Sequence, residues 1–189
     1  DILERLALAH PEISFKFIQN NQLQLHTPGN NDLLSVIYSI YGRETAKAVL
    51  PVNYENGGIR LSGFVGKPEI SRGTRGRQSI FLNGRYIKSP VVSSALEAAY
   101  KTLIMQNKFP FCVLLVEASP EAFDVNVHPQ KLEVRFANDG TVYSTVYNGV
   151  KSTLLGTSLI RDFRDENPEP LQKTETGPDR TAAYPGAAR

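Results

Sequence analysis

The run Phe109 to Val116, FPFCVLLV, is the segment that most limits what this chain can become. It is almost continuously apolar and is followed at once by Glu117, so it suits a strand covered on both faces. A strand of that kind requires helices packed on its sheet. Cys112 lies inside the run and reads as a buried core residue. As the single cysteine of the chain it allows no internal disulfide, which fits a reducing, cytoplasmic setting. With 189 residues, 41% hydrophobic and 21% charged, the chain accommodates one globular domain with a real core and a tail. No apolar run approaches a membrane span, and no signal peptide is visible.

The other elements follow from periodicity and punctuation. Asp1 to His10 reads as the end of a helix already under way, as in a fragment of a longer protein, and Pro11 stops it. Ile13 to Ile18 and Gln22 to His26 read as a hairpin turning at Asn20-Asn21. Asp32 is the expected N-cap of a helix with Leu33, Val36, Ile37 and Ile40 inward, ended by Gly42. Arg43 to Val49 adds a turn or two. Val49 to Tyr54 and Ile59 to Val65 form a second hairpin around Asn56-Gly57-Gly58. Gly66 to Gly76 lacks an apolar period and is expected to be a mobile loop. Gln78 to Leu82 is a central strand, Asn83-Gly84 a tight turn, and Ser89-Pro90 a helix start with Val92, Leu96, Ala99 and Leu103 on one stripe. Asp139 is expected to cap a last helix carrying Val142, Val146, Val150 and Leu154 inward. These elements amount to an α+β (mixed α/β) fold, with helices on a mostly single sheet over residues 1–156. Residues 157–189, with their prolines and glycines, read as a disordered linker or tail.

Phe123 to Phe136, FDVNVHPQKLEVRF, carries a second constraint. Phe123, Val125 and Val127 alternate with Asp124, Asn126 and His128, as in a half-buried strand. Pro129 interrupts the ladder, Gln130 and Lys131 sit in the break, and Leu132, Val134 and Phe136 resume the alternation. Lys131 is therefore either a solvated turn lysine or a fixed point charge aimed at a phosphate. His128 has no second His or Cys at ligand spacing, so it is read as a turn residue and no metal site is expected.

Charge is segregated. The net charge is +2, yet Arg60 to Lys88 holds seven cations against the single acid Glu69, a local +6 that leaves −4 for the remainder. Arg72, Arg75, Arg77, Arg85 and Lys88 are the candidate contacts to an anionic partner, either nucleic-acid phosphate or, on the bland reading, only water. No aromatic ladder interleaves these charges, which disfavours stacking on single-stranded bases and points to non-specific, salt-dependent backbone contact. The Asn-Gly turn fixes where Arg85 emerges.

The blocks FLNGRYIKS, Phe81 to Ser89, and DVNVHPQKLEVRF, Asp124 to Phe136, resemble the MutL family of DNA mismatch-repair proteins. The resemblance covers roughly Asp1 to Leu155 and implies the second, transducer domain of that family's ATPase region. It implies the fold of the second domain of a small-subunit ribosomal protein, with a left-handed β-α-β crossover against the right-handed default. It further implies that Arg85 contacts DNA and that Lys131 reaches the γ-phosphate of ATP bound by an upstream GHKL ATPase domain. Asp124, Asn126, His128 and Pro129 would shape the turn. ATP and Mg²⁺ would be held only with that upstream domain, since no G-x-x-x-x-G-K-[ST] cradle occurs here. Alone, this stretch is not expected to be an enzyme. The implied partners are DNA, the upstream domain, other mismatch-repair proteins and, in the full-length bacterial protein, a second copy in a homodimer. Two rivals remain: an RNA-binding ribosomal or RNase-P-like protein on the same scaffold, and a pure protein-interaction module.

Overall fold

The structure, a computed structural model, describes residues 2–124 and 132–165. The chain runs α1 (Ile2–Ala9), β1 (Lys16–Gln19), β2 (Gln22–His26), α2 (Leu33–Tyr41), α3 (Arg43–Lys47), β3 (Val49–Asn56), β4 (Ile59–Gly66), β5 (Gln78–Leu82), β6 (Arg85–Ile87), α4 (Pro90–Tyr100), β7 (Cys112–Glu117), β8 (Phe123–Asp124), β9 (Arg135–Phe136) and α5 (Asp139–Asp165). The main sheet has five strands in the order β3-β4-β7-β5-β6. β5 and β7 pair in parallel and the other neighbours antiparallel, so the sheet is mixed and a crossover through β6 and α4 joins the parallel pair. The expected α+β architecture is the one found. No helix among the described residues is long and apolar enough to cross a membrane.

β7 is the buried strand that its composition demands. Cys112, Leu114 and Val116 face a core built with Val92, Leu96, Tyr100, Val142, Val146 and Val150, on the side of α4 and α5. Val113 faces the opposite core with Ala7, Leu8, Val36 and Ile37, on the side of α1 and α2. Burial pushes the Cys112 thiol up to about 12. β4 approaches β7 closely because Gly63, at φ +116°, has no side chain where a Cβ would lie 2.1 Å from the Val113 carbonyl oxygen. On the other side of the crossover, the Tyr100 hydroxyl donates to the Gly66 carbonyl at 2.5 Å, tying the end of α4 to the end of β4.

Local signals account for most boundaries. Asn20 and Asn21 take positive φ, 51° and 58°, and turn the first hairpin. The Asp32 carboxylate accepts from the Leu34 and Ser35 amides at 3.1 Å each, and Ser89 caps α4 by accepting from the Val92 amide at 3.3 Å.

Several boundaries differ from expectation, each for a visible reason. β1 begins at Lys16, because Ser14 and Phe15 are tied to Thr27, whose amide donates to Phe15 O at 2.9 Å and whose hydroxyl accepts from Phe15 N at 2.9 Å. α4 ends at Tyr100; Leu103 belongs to the following turn and is 43% exposed. β7 starts at Cys112 because Phe109 pairs instead with Arg72. Asn138, not Asp139, caps α5, accepting from the Thr141 amide at 3.0 Å. With no proline between Pro129 and Pro168, α5 continues to Asp165, beyond the end of regular structure expected near residue 156. The segment expected to be a mobile loop carries single-turn 3-10 helices at Pro68–Ile70 and Arg75–Arg77, and the Arg72–Phe109 bridge closes with bonds of 2.9 and 2.6 Å. Of the strand expected from Phe123 to His128, only Phe123 and Asp124 lie within the described residues.

Gly63→Ala is expected to destabilise the fold by about 2 kcal/mol or more, because both its φ and the facing carbonyl oppose a side chain. Gly73→Ala, where a Cβ meets nothing within 4 Å, is expected to stay within about 0.5 kcal/mol of the parent. Urea unfolding of both variants provides the comparison.

Candidate nucleic-acid interface

The interface begins with a clamp. Asn83 and Gly84 have φ of 46° and 78°, which makes the two-residue turn between β5 and β6. The Asn83 side-chain amide donates to Ala118 O at 2.9 Å, its carbonyl accepts from Ala118 N at 3.1 Å, and its own backbone amide donates to Val116 O at 2.9 Å. The turn is therefore fastened to the end of β7, and Arg85 leaves it exposed, on the edge strand of the sheet.

The remaining predicted cations are held differently. Arg75 donates to both carboxylate oxygens of Glu97 at 2.7 and 3.1 Å, and its guanidinium carbon lies 4.4 Å from the Phe109 ring centroid. The hydrogen bond that Arg75 donates to Glu97 raises the Arg75 pKa above its ordinary value. Arg77 lies 5.6 Å from the ring centroid of Tyr41. Arg72 is fixed through its backbone bridge to Phe109 while its side chain is exposed. The Lys88 amide donates to Leu132 O at 2.7 Å, and its side chain is exposed.

The structure thus brings together only part of the predicted set. Arg75 and Lys88 meet at a cleft of about 540 Å³, also lined by Arg5, Ser93, Ser94 and Glu97. Arg85 stands apart, at the opposite end of β5 from Arg75 and Arg77. Lys131 and residues 125–130 lie outside the described residues. Arg5 was missed because nothing in its spacing links a residue of α1 to α4. Ser93 and Ser94, by contrast, follow the Ser89-Pro90 start closely enough to lie in the first two turns of α4. A larger depression of about 660 Å³, between β2, α2 and α3, contains none of the predicted residues. Among the described residues, no group of three or more His, Cys, Asp or Glu is placed to hold a metal ion.

The family described as DNA mismatch repair protein, C-terminal domain, matches residues 37–155. A DNA mismatch repair protein MutL from Agathobacter rectalis is 42% identical over 197 residues, covering 96% of this chain and 30% of its own length. The protein of the same name from Symbiobacterium thermophilum is 45% identical over 161 residues, covering 85% of this chain and 25% of its own. The chain thus spans between a quarter and a third of the length of these curated relatives. Among solved structures, the N-terminal domain of a DNA repair protein superposes with a TM-score of 0.70 at 21% identity, covering 84% of this chain and 53% of that one. A mutant Aquifex aeolicus MutL ATPase domain superposes with a TM-score of 0.54 at 17% identity, covering 79% and 49%. At these identities the two structures speak to the fold.

Asn83→Ala removes the clamp and a residue suited to positive φ. It is expected to cost about 1–2 kcal/mol, read as a lower urea midpoint with an unchanged slope.

Proposed function

The chain belongs to the MutL family of DNA mismatch repair proteins, and on that premise we propose that it is the transducer portion of the family's ATPase region. In this reading it couples the nucleotide state of an upstream ATPase domain to contact with DNA. Arg85 meets the DNA backbone, and Arg72, Arg75, Arg77 and Lys88 are the further cations of the interface. Lys131 contacts the γ-phosphate of ATP, whose Mg²⁺ and pocket belong to the upstream domain. This chain contributes no phosphate cradle of its own and, alone, is not an enzyme. The full-length protein acts in the bacterial cytoplasm as a homodimer with other mismatch-repair proteins.

One observation carries the reading. The Lys88 amide donates to the carbonyl of Leu132 at 2.7 Å, and Lys88 and Glu133 form a parallel bridge. That contact joins the strand bearing Arg85 to the residue that directly follows Lys131. A cation whose phosphate partner disappears on hydrolysis is thereby one residue along the chain from a carbonyl bonded to the end of the DNA-contacting edge. The local +6 charge and the exposed guanidinium of Arg85 support the DNA half of the proposal.

Titration with non-specific duplex at low and moderate salt tests the first half. Arg85→Glu is expected to weaken binding about tenfold at low salt; equal affinity removes Arg85 from the interface. Marked preference for structured RNA over duplex would move the chain to the ribosomal-type reading, and absence of nucleic-acid binding would make it a protein-interaction module. The second half is read from ATP hydrolysis by the protein containing the upstream domain. Lys131→Ala is expected to slow turnover about tenfold or more, and an unchanged rate refutes the phosphate contact.

A further inference from the structure

The basic segment does not form one patch. Arg85 stands at the turn end of β6, whereas Arg75 and Lys88 meet past its other end, in the 540 Å³ cleft. Arg5 joins them from α1, with its guanidinium carbon 4.2 Å from the ring centroid of Tyr86, another wall of the cleft. Ser93 and Ser94 bring hydroxyls from the first two turns of α4. The acid among the described lining residues is Glu97, and Arg75 grips both of its oxygens. Three cations, from three separate parts of the chain, thus line the cleft beside that carboxylate. Donors converging from several directions suit the tetrahedral oxygens of a phosphate better than a planar carboxylate.

We infer that this cleft takes a phosphate of a nucleic-acid strand, as a second anchor separate from Arg85, and that Glu97 is the internal anion occupying Arg75 until that phosphate displaces it. The inference rests on the DNA contact proposed above and specifies how it is divided. Arg85 and Lys88 are three residues apart along an edge strand, roughly 10 Å. A strand lying along this edge therefore presents phosphates to both ends of β6. Glu97 sets the affinity by competing for Arg75, an autoinhibitory contact within the binding site.

The test is fluorescence anisotropy of the full chain on a labelled non-specific duplex, between about 50 and 200 mM salt, where each phosphate contact contributes about 0.9 to the slope of log K against log salt. Glu97→Gln is expected to bind roughly threefold or more tighter at low salt and to steepen the slope by about one, a gain that misfolding does not produce. Lys88→Gln and Arg5→Gln are each expected to flatten the slope by about one, in addition to the loss from Arg85→Glu. If Arg85→Glu weakens binding while Glu97→Gln and Lys88→Gln leave affinity and slope unchanged, the second anchor is refuted and the DNA contact at Arg85 stands. If the parent chain does not bind duplex at low salt, the DNA reading fails and takes this inference with it. Inorganic phosphate is compared with chloride at matched ionic strength. Tight phosphate binding together with unchanged duplex slopes in the cleft variants would reassign the cleft to the free ion and overturn the strand anchor.

Discussion

Burial of β7 on both faces is the constraint from which the rest of the architecture follows. Cys112, Val113 and Leu114 are fully buried and Val116 is 1% exposed, so both faces of the strand are covered, with Leu115 half-buried and Glu117 exposed at its end. Each such side chain contributes about 1.5–3 kcal/mol when removed from water, which only helices on both sides of the sheet can supply. α4 and α5 cover one face and α1 and α2 the other. The strand also needs backbone partners on both edges. β4 supplies one antiparallel to it, at a separation that Gly63 makes possible, and β5 supplies the other in parallel. A parallel neighbour in turn demands a crossover, and β6 with α4 is that crossover. Arg85 and Lys88 thus sit on a connection that exists because of the buried strand β7.

The same dependence fixes the candidate interface. The Asn83 side chain reads the backbone just beyond β7, and Asn83 N bonds to Val116 O. Arg85 therefore inherits its position from the core rather than from a free loop, so little ordering is required of its backbone when an anion arrives. At its other end β6 leads into Lys88, whose amide is taken by Leu132. One short strand is thus tied at its turn to β7 and just past its end to the segment that precedes β9.

Much of this was legible in the residues. The apolar run around Cys112, the Asn-Gly turn, the Asp32 and Ser89 caps and the inward stripe Val142, Val146, Val150 are all found where the pattern places them. Those signals are local, encoded by period or by a single backbone requirement. The misplaced boundaries were decided by distant partners: Thr27 over the start of β1, Arg72 over Phe109, and the Tyr100–Gly66 bond beside the end of α4. The site was less legible than the fold. Charge density singled out Arg75 and Lys88, but Arg5 lies seventy positions from Arg75 and meets it only through the packing of α1 on the sheet edge.

A count of charges along the chain also overstates what a partner meets. Of the seven cations between Arg60 and Lys88, Arg60 is paired with Glu55 at 3.3 Å and Glu117 at 3.4 Å, and Arg75 with Glu97 at 2.7 Å. Arg77 rests against Tyr41. Exposed pairs of this kind add at most about 1 kcal/mol to stability, yet each cancels a charge in the field that an incoming polyanion feels. Arg72, Arg85 and Lys88 are exposed with no carboxylate partner among the described residues, and only Arg85 is set by a turn clamped to the core. The +6 of the sequence is therefore a reservoir, of which the standing field uses a part. The remainder is held by internal carboxylates, Glu55 and Glu117 against Arg60 and Glu97 against Arg75, so the field at this surface is set by those acids as much as by the arginines.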